Sequence, residues 1–110
     1  MATTSCESRL DAAWSAARAD GRAALIPYFT AGFPDEAATL AALRAADEVS
    51  DIIEVGVPFS DPLADGPTIQ RSTLEALRGG MTLARTLALI ARAELTRPVV
   101  VFSYLNPIMR

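Results

Sequence analysis

Two kinds of apolar pattern take turns along this chain, and their alternation restricts the fold more than any other feature. Short, nearly continuous apolar runs occur at ALIPYFT (Ala24 to Thr30), DIIEVGV (Asp51 to Val57) and PVVVFSY (from Pro98). Runs of this length, rich in β-branched and aromatic residues and bounded by Gly, Pro and Asp, read as strands. Between them, apolar residues recur at three- and four-residue steps, which is the period of a helix face. Ser8 to Ala19 places Leu10, Ala13, Trp14 and Ala17 on one such face, and Asp20-Gly21 stops it. Pro34-Asp35 opens a second helix from Glu36 to about Ala46, with Leu40 and Leu43 inward. A third runs from about Thr68 to Arg78 and stops at Gly79-Gly80; a fourth, Thr82 to Leu95, keeps Leu83, Leu87 and Ile90 together. The order is helix, strand, helix, strand, helix, helix, strand. Strands joined by helical crossovers pair in parallel, so the fold class is α/β. Their apolar character suits a sheet covered on its outer face.

Three parallel strands leave two open edges and cannot close a barrel. The 110 residues are therefore expected to be the front part of a larger α/β domain. Within them, 51% hydrophobic and 21% charged residues exclude a disordered or fibrous chain. No apolar run approaches the ~20 residues of a membrane-spanning helix. The start, MATTSCESRLDAAW, has no basic flank followed by an apolar stretch, and the single cysteine, Cys6, cannot form an internal disulfide. A cytoplasmic location is the expectation. Thirteen acids face ten basic residues, all of them arginine and none clustered, which argues against nucleic acid as a partner. Histidine is absent, which removes Ser-His-Asp and Cys-His nucleophiles and any histidine metal site. Carboxylates or a tyrosine must move any protons, and no metal site is expected.

Glu54 is the foremost candidate for that work. It interrupts the second strand among Ile52, Ile53, Val55 and Val57, and strand alternation puts it on one face with Ile52 and Gly56. Near the C-terminal end of a barrel strand, that face points to the mouth where barrel active sites form. Apolar neighbours disfavour the anion, which suits a group that gives and takes a proton near neutrality. A strand-end glutamate can equally reach solvent or cap a loop amide. The following loop, PFSDPLADGP, carries Asp61 and Asp65 between Pro58, Pro62 and Pro67, with Gly66 permitting a tight turn. A shaped loop with two positioned aspartates follows, although aspartate beside proline and glycine also simply makes turns.

The stretch DIIEVGVPFSDPLADGPTIQ, Asp51 to Gln70, resembles the signature of the tryptophan synthase alpha subunit family. IPYFTAGFPD, Ile26 to Asp35, resembles the family's first-strand motif, and YLNP, Tyr104 to Pro107, the end of its third strand. The similarity runs without a gap from about Leu10 to Arg110. It implies a TIM (β/α)8 barrel, of which residues 1–22 would hold the helix before the first strand and residues 23–110 the first three strands with their crossover helices. It also implies a retro-aldol lyase that cleaves indole-3-glycerol phosphate into indole and glyceraldehyde 3-phosphate in tryptophan biosynthesis. No cofactor serves that reaction. Indole passes to a beta subunit, which uses pyridoxal phosphate, within an alpha2-beta2 tetramer. By the same resemblance, Glu54 is the general acid/base and Asp65 the carboxylate that accepts the indole N–H. Tyr28, Ile69 and Phe102 line the indole pocket, with Thr30 and Tyr104 nearby. Asp61 and Pro62 belong to the loop that closes over substrate and meets the beta subunit.

Two departures accompany the resemblance. The family's helix before the second strand ends in a glycine-containing turn, whereas this chain has Asp47-Glu48-Val49-Ser50 there, and valine is a poor occupant of a left-handed cap. Family members are more than twice this long, and barrel phosphate sites form after strands seven and eight. The isolated 110 residues are accordingly expected to be inactive as a lyase. A non-catalytic fragment that docks on a beta subunit is the alternative at this stage.

Overall fold

The computed structural model describes residues 6–59 and 65–103. Seven elements follow one another: α1 (Cys6–Ala19), β1 (Tyr28–Thr30), α2 (Glu36–Val49), β2 (Ile53–Gly56), α3 (Pro67–Arg78), α4 (Leu83–Ala93) and β3 (Val99–Phe102). The order of helices and strands is the one the periodicity predicts. The strands form one parallel sheet in the order β1-β2-β3. Its register aligns Tyr28 with Glu54 and Val100, and Thr30 with Gly56 and Phe102.

Alternation along β2 divides the sheet into two chemically different faces. Ile53 and Val55 are fully buried and join Leu43 and Ala46 of α2, Ala76 of α3, and Leu89 and Ala93 of α4 in the core. Glu54 and Gly56 point to the other face. The apolar layer is thus on the helix-covered side, and Glu54 stands on the opposite side of the sheet.

Local chemistry sets the helix boundaries. Asp35 caps α2 by accepting from the Ala38 amide at 2.8 Å, and Thr82 caps α4 by accepting from the Arg85 amide at 3.1 Å. Pro67 opens α3, where its missing N–H costs nothing. The end of α2 needs no left-handed residue: Val49 is helical and Ser50 caps it in an extended conformation, φ −93°. A left-handed cap appears instead at Glu94, φ 51°, closing α4.

Several sequence expectations change. The first strand shortens to Tyr28–Thr30, because Pro27 has no N–H to give to the ladder. Trp14 is 46% exposed, so Ala17 rather than Trp14 carries the buried face of α1. Leu87 is 48% exposed, and the inward face of α4 is Thr86, Leu89 and Ala93. Thr86 is tolerated inside because its hydroxyl donates to the Thr82 carbonyl at 2.7 Å.

Two carboxylates tie the N-terminal ends of the strands. Asp51 accepts two bonds from the Arg22 guanidinium, at 2.8 and 2.9 Å, and one from the Leu25 amide at 2.8 Å. Asp47 accepts from the Thr96 amide, the Thr96 hydroxyl and the Arg97 amide, joining α2 to the turn before β3.

Candidate active site

At the C-terminal end of the sheet, all three strands and the start of α3 contribute to one open cleft of about 260 Å3. It is lined by Tyr28, Glu54, Asp65, Ile69 and Phe102. Each lining residue is held by a different element. Glu54 is on the central strand, half-buried, with its amide donating to the Pro27 carbonyl at 2.9 Å. Tyr28 shares its row on β1. Phe102, 49% exposed, ends β3 and meets the Tyr28 ring edge to face, with centroids 6.5 Å apart at 82°. Asp65 precedes Gly66, the N-cap of α3, and Ile69 lies on the first turn of that helix. A helix N-terminus is a favourable place for negative charge.

The backbone at Asp65 is itself anchored, since the Gln70 side-chain amide donates to the Asp65 carbonyl at 2.8 Å. Gly56 makes the cleft possible in another way: a β-carbon there would run into the Tyr28 hydroxyl. The tyrosine therefore leans over the one strand position that has no side chain. Sequence reasoning assigned no role to Gly56, Gln70 or Ser72. A glycine two residues beyond a strand carboxylate is a visible sign of close approach; the partners of Gln70 and Ser72 appear only in three dimensions.

Of the residues singled out from sequence, the cleft collects five. Thr30 is not among its lining: it is buried, and its hydroxyl lies 2.8 Å from that of Ser72. Asp61, Pro62 and Tyr104 lie outside the described residues. Among the described residues, no three Cys, Asp or Glu side chains converge as a metal site would require, and no helix is long and apolar enough to cross a membrane.

A larger cavity, about 520 Å3, sits at the opposite end of the strands, where Arg9, Arg22, Asp20, Asp51 and Arg97 are among its lining. Its charges bond one another and the backbone: Arg22 to Asp20 and Asp51, Arg9 to the Thr96 carbonyl, Arg97 to the Asp47 carbonyl. In barrels, that end supports stability, whereas the C-terminal end carries the chemistry.

Parallel strands in sequential order, crossover helices and two carboxylates meeting beyond the strand C-termini are the arrangement of one part of a (β/α)8 barrel wall. The tryptophan synthase alpha chain family model matches residues 14–110. The chain belongs to that family. It is 49% identical over 105 residues to the tryptophan synthase alpha chain of Dechloromonas aromatica, covering 92% of this chain and 39% of that one. To the alpha chain of Deinococcus radiodurans it is 47% identical over 109 residues, covering 97% and 40%. A crystal structure of tryptophan synthase from M. tuberculosis in an aminoacrylate-bound form superposes with a TM-score of 0.84 at 49% identity, covering 93% of this chain and 42% of the other. A variant alpha-subunit from Pyrococcus furiosus gives a TM-score of 0.75 at 46% identity, covering 79% and 36%. The chain thus spans about 40% of the length of the curated relatives it matches.

Proposed function

We propose that these residues supply the acid/base part of a lyase site that cleaves indole-3-glycerol phosphate to indole and glyceraldehyde 3-phosphate. The observation that carries this reading is the meeting of Glu54 and Asp65 in one cleft with Tyr28, Ile69 and Phe102. Two aromatic rings and an aliphatic side chain suit a flat heteroaromatic ring, and the two carboxylates suit its single N–H and a mobile proton.

Glu54 protonates the indole ring carbon that bears the glycerol chain, which places positive charge on the ring nitrogen. Asp65 accepts the N–H hydrogen bond and stabilises that charge as it develops. Removal of the proton from the adjacent glycerol hydroxyl, with Glu54 assisting, lets the carbon–carbon bond break. The bonding pair restores the aromatic ring, the hydroxyl becomes the aldehyde of glyceraldehyde 3-phosphate, and indole leaves. A carboxylate on a rigid strand suits the group that must cycle a proton, and one beside a helix N-terminus suits the group that stays anionic. No step needs a cofactor.

In this reading the phosphate is gripped by barrel loops beyond these three strands, the indole passes to a beta subunit that holds pyridoxal phosphate, and the enzyme is cytoplasmic. A non-catalytic docking role rests on Asp61 and Pro62, which lie outside the described residues, so no observation favours it.

The test is product analysis with the protein made from its native gene. Equal amounts of indole and glyceraldehyde 3-phosphate are expected, and both Glu54→Gln and Asp65→Asn should suppress them. Indole release that neither substitution affects would remove the proposal.

A further inference from the structure

We propose that Ser72, acting with Thr30, is a positioning residue for the cleft: a buried hydroxyl pair that sets the first turns of α3, and with them Asp65 and Ile69, against Glu54. The inference rests on the catalytic reading of the cleft.

The Thr30 and Ser72 hydroxyl oxygens are 2.8 Å apart, in side chains only 7% and 8% exposed. Ser72 also lies 2.9 Å from the Ile69 carbonyl, to which its hydroxyl donates. A serine hydroxyl has one proton to give, so Thr30 must be the donor between the two hydroxyls. The result is a directed chain: Thr30 hydroxyl to Ser72 hydroxyl to the backbone carbonyl of Ile69. Both ends of that chain sit beside the cleft. Thr30 lies two residues beyond Tyr28 on the same strand face, and Ile69 is itself a lining residue.

The packing of α3 explains why a hydrogen bond is needed there. Its buried residues are Ser72, Thr73 and Ala76, while Leu74 on the same helix is 50% exposed. The buried residues of α3 are thus all small, and none of them is a large knob that fixes its register along the sheet. Dispersion contacts of small groups change little when the helix slides, whereas a hydrogen bond weakens steeply with misalignment. The Thr30–Ser72 pair is therefore a directional contact between β1 and α3. At the other end of the same turn, Gln70 holds the Asp65 carbonyl. The two contacts together carry strand geometry into the position of Asp65.

The test uses the protein made from its native gene, with Thr30→Val, Thr30→Ser, Ser72→Ala and the double variant of Thr30→Val with Ser72→Ala. Two quantities are read: amide hydrogen exchange over residues 66–72, and kcat and KM for indole-3-glycerol phosphate. Thr30→Val keeps the shape and removes the hydroxyl. It and Ser72→Ala should each speed exchange in the first turns of α3 and lower kcat about tenfold, with KM within about twofold, as small displacements of catalytic groups do. Thr30→Ser should restore both, and the double variant should be no worse than either single one. Unchanged kcat and exchange in Thr30→Val and Ser72→Ala, or a Thr30→Ser protein that behaves like Thr30→Val, overturns the proposal. If Thr30→Val loosens α3 and Thr30→Ser restores it while the unmodified protein releases no indole, the anchor stands and the lyase reading of the cleft falls.

Discussion

Four carboxylates occupy two ends of the same short strands, and their surroundings sort them by task. Asp51 is engaged by a bidentate arginine and a backbone amide, which holds its carboxyl down to about 2 from an ordinary 3.8. Burial opposes ionisation of Asp47, but the Arg97 and Thr96 amides and the Thr96 hydroxyl outweigh it, and that carboxyl is also lowered. A carboxyl lowered by folding stabilises the native state above its unfolded value, and the benefit fades as pH falls towards the folded value. The contribution of Asp51 should therefore be complete above about pH 4 and disappear on the way down to pH 2. Urea midpoints measured across that window should fall less steeply for Asp51→Asn than for the unmodified protein; identical slopes would contradict the pairing. Neither Asp47 nor Asp51 was singled out from sequence, because Arg22 lies 29 residues from Asp51, and Thr96 lies 49 from Asp47. Glu54 was legible because a lone carboxylate in an apolar strand is anomalous by itself. Gly56 offers a second residue-scale prediction. A methyl group there meets the Tyr28 hydroxyl, so Gly56→Ala should destabilise by about 1–3 kcal/mol and displace the tyrosine from the cleft. Chemical unfolding together with near-ultraviolet circular dichroism reads both effects.

At the scale of elements, periodicity was sufficient for the number, type and order of helices and strands, and less so for their faces. Period alone places Leu83, Leu87 and Ile90 together on α4, yet the inward stripe is rotated to Thr86, Leu89 and Ala93. The rotation is possible because Thr86 satisfies its own hydroxyl within the helix, so a polar residue can sit inside while a leucine stays out. The departure at the end of α2 was legible in the sequence, but the left-handed cap of α4 was not. Asp47-Glu48-Val49-Ser50 ends α2 through an extended serine, whereas Glu94 takes the left-handed position after α4. A glutamate with φ 51° is strained by its β-carbon, a cost glycine does not have. Glu94→Gly should raise stability by up to about 1 kcal/mol, seen as a higher urea midpoint with an unchanged slope. A lower midpoint would mean that the side chain makes a contact worth more than the strain. The anchoring of α3 by Thr30 and Ser72 was not legible at all, since nothing local marks a serine 42 residues from its partner.

At the scale of the molecule, the sheet has a helix-covered apolar side and a side that carries Glu54, with β1 and β3 as its edges. On the Glu54 side of β3, Val100 and Phe102 are each more than a third exposed, as expected for strands that share an interior with the rest of a barrel wall. Residues 1–110 are expected to bring the proton chemistry, through Glu54 and Asp65, and to depend on further strands for the grip on phosphate. The most direct measurement joins residues 1–110 to the remaining barrel of the Dechloromonas aromatica alpha chain, in place of its matching segment, and follows indole release from indole-3-glycerol phosphate. An active hybrid is expected, with a kcat that falls by at least about 100-fold in Glu54→Gln, the scale of a lost general acid/base, and little change in KM. A hybrid that releases indole equally well with Glu54→Gln would contradict it.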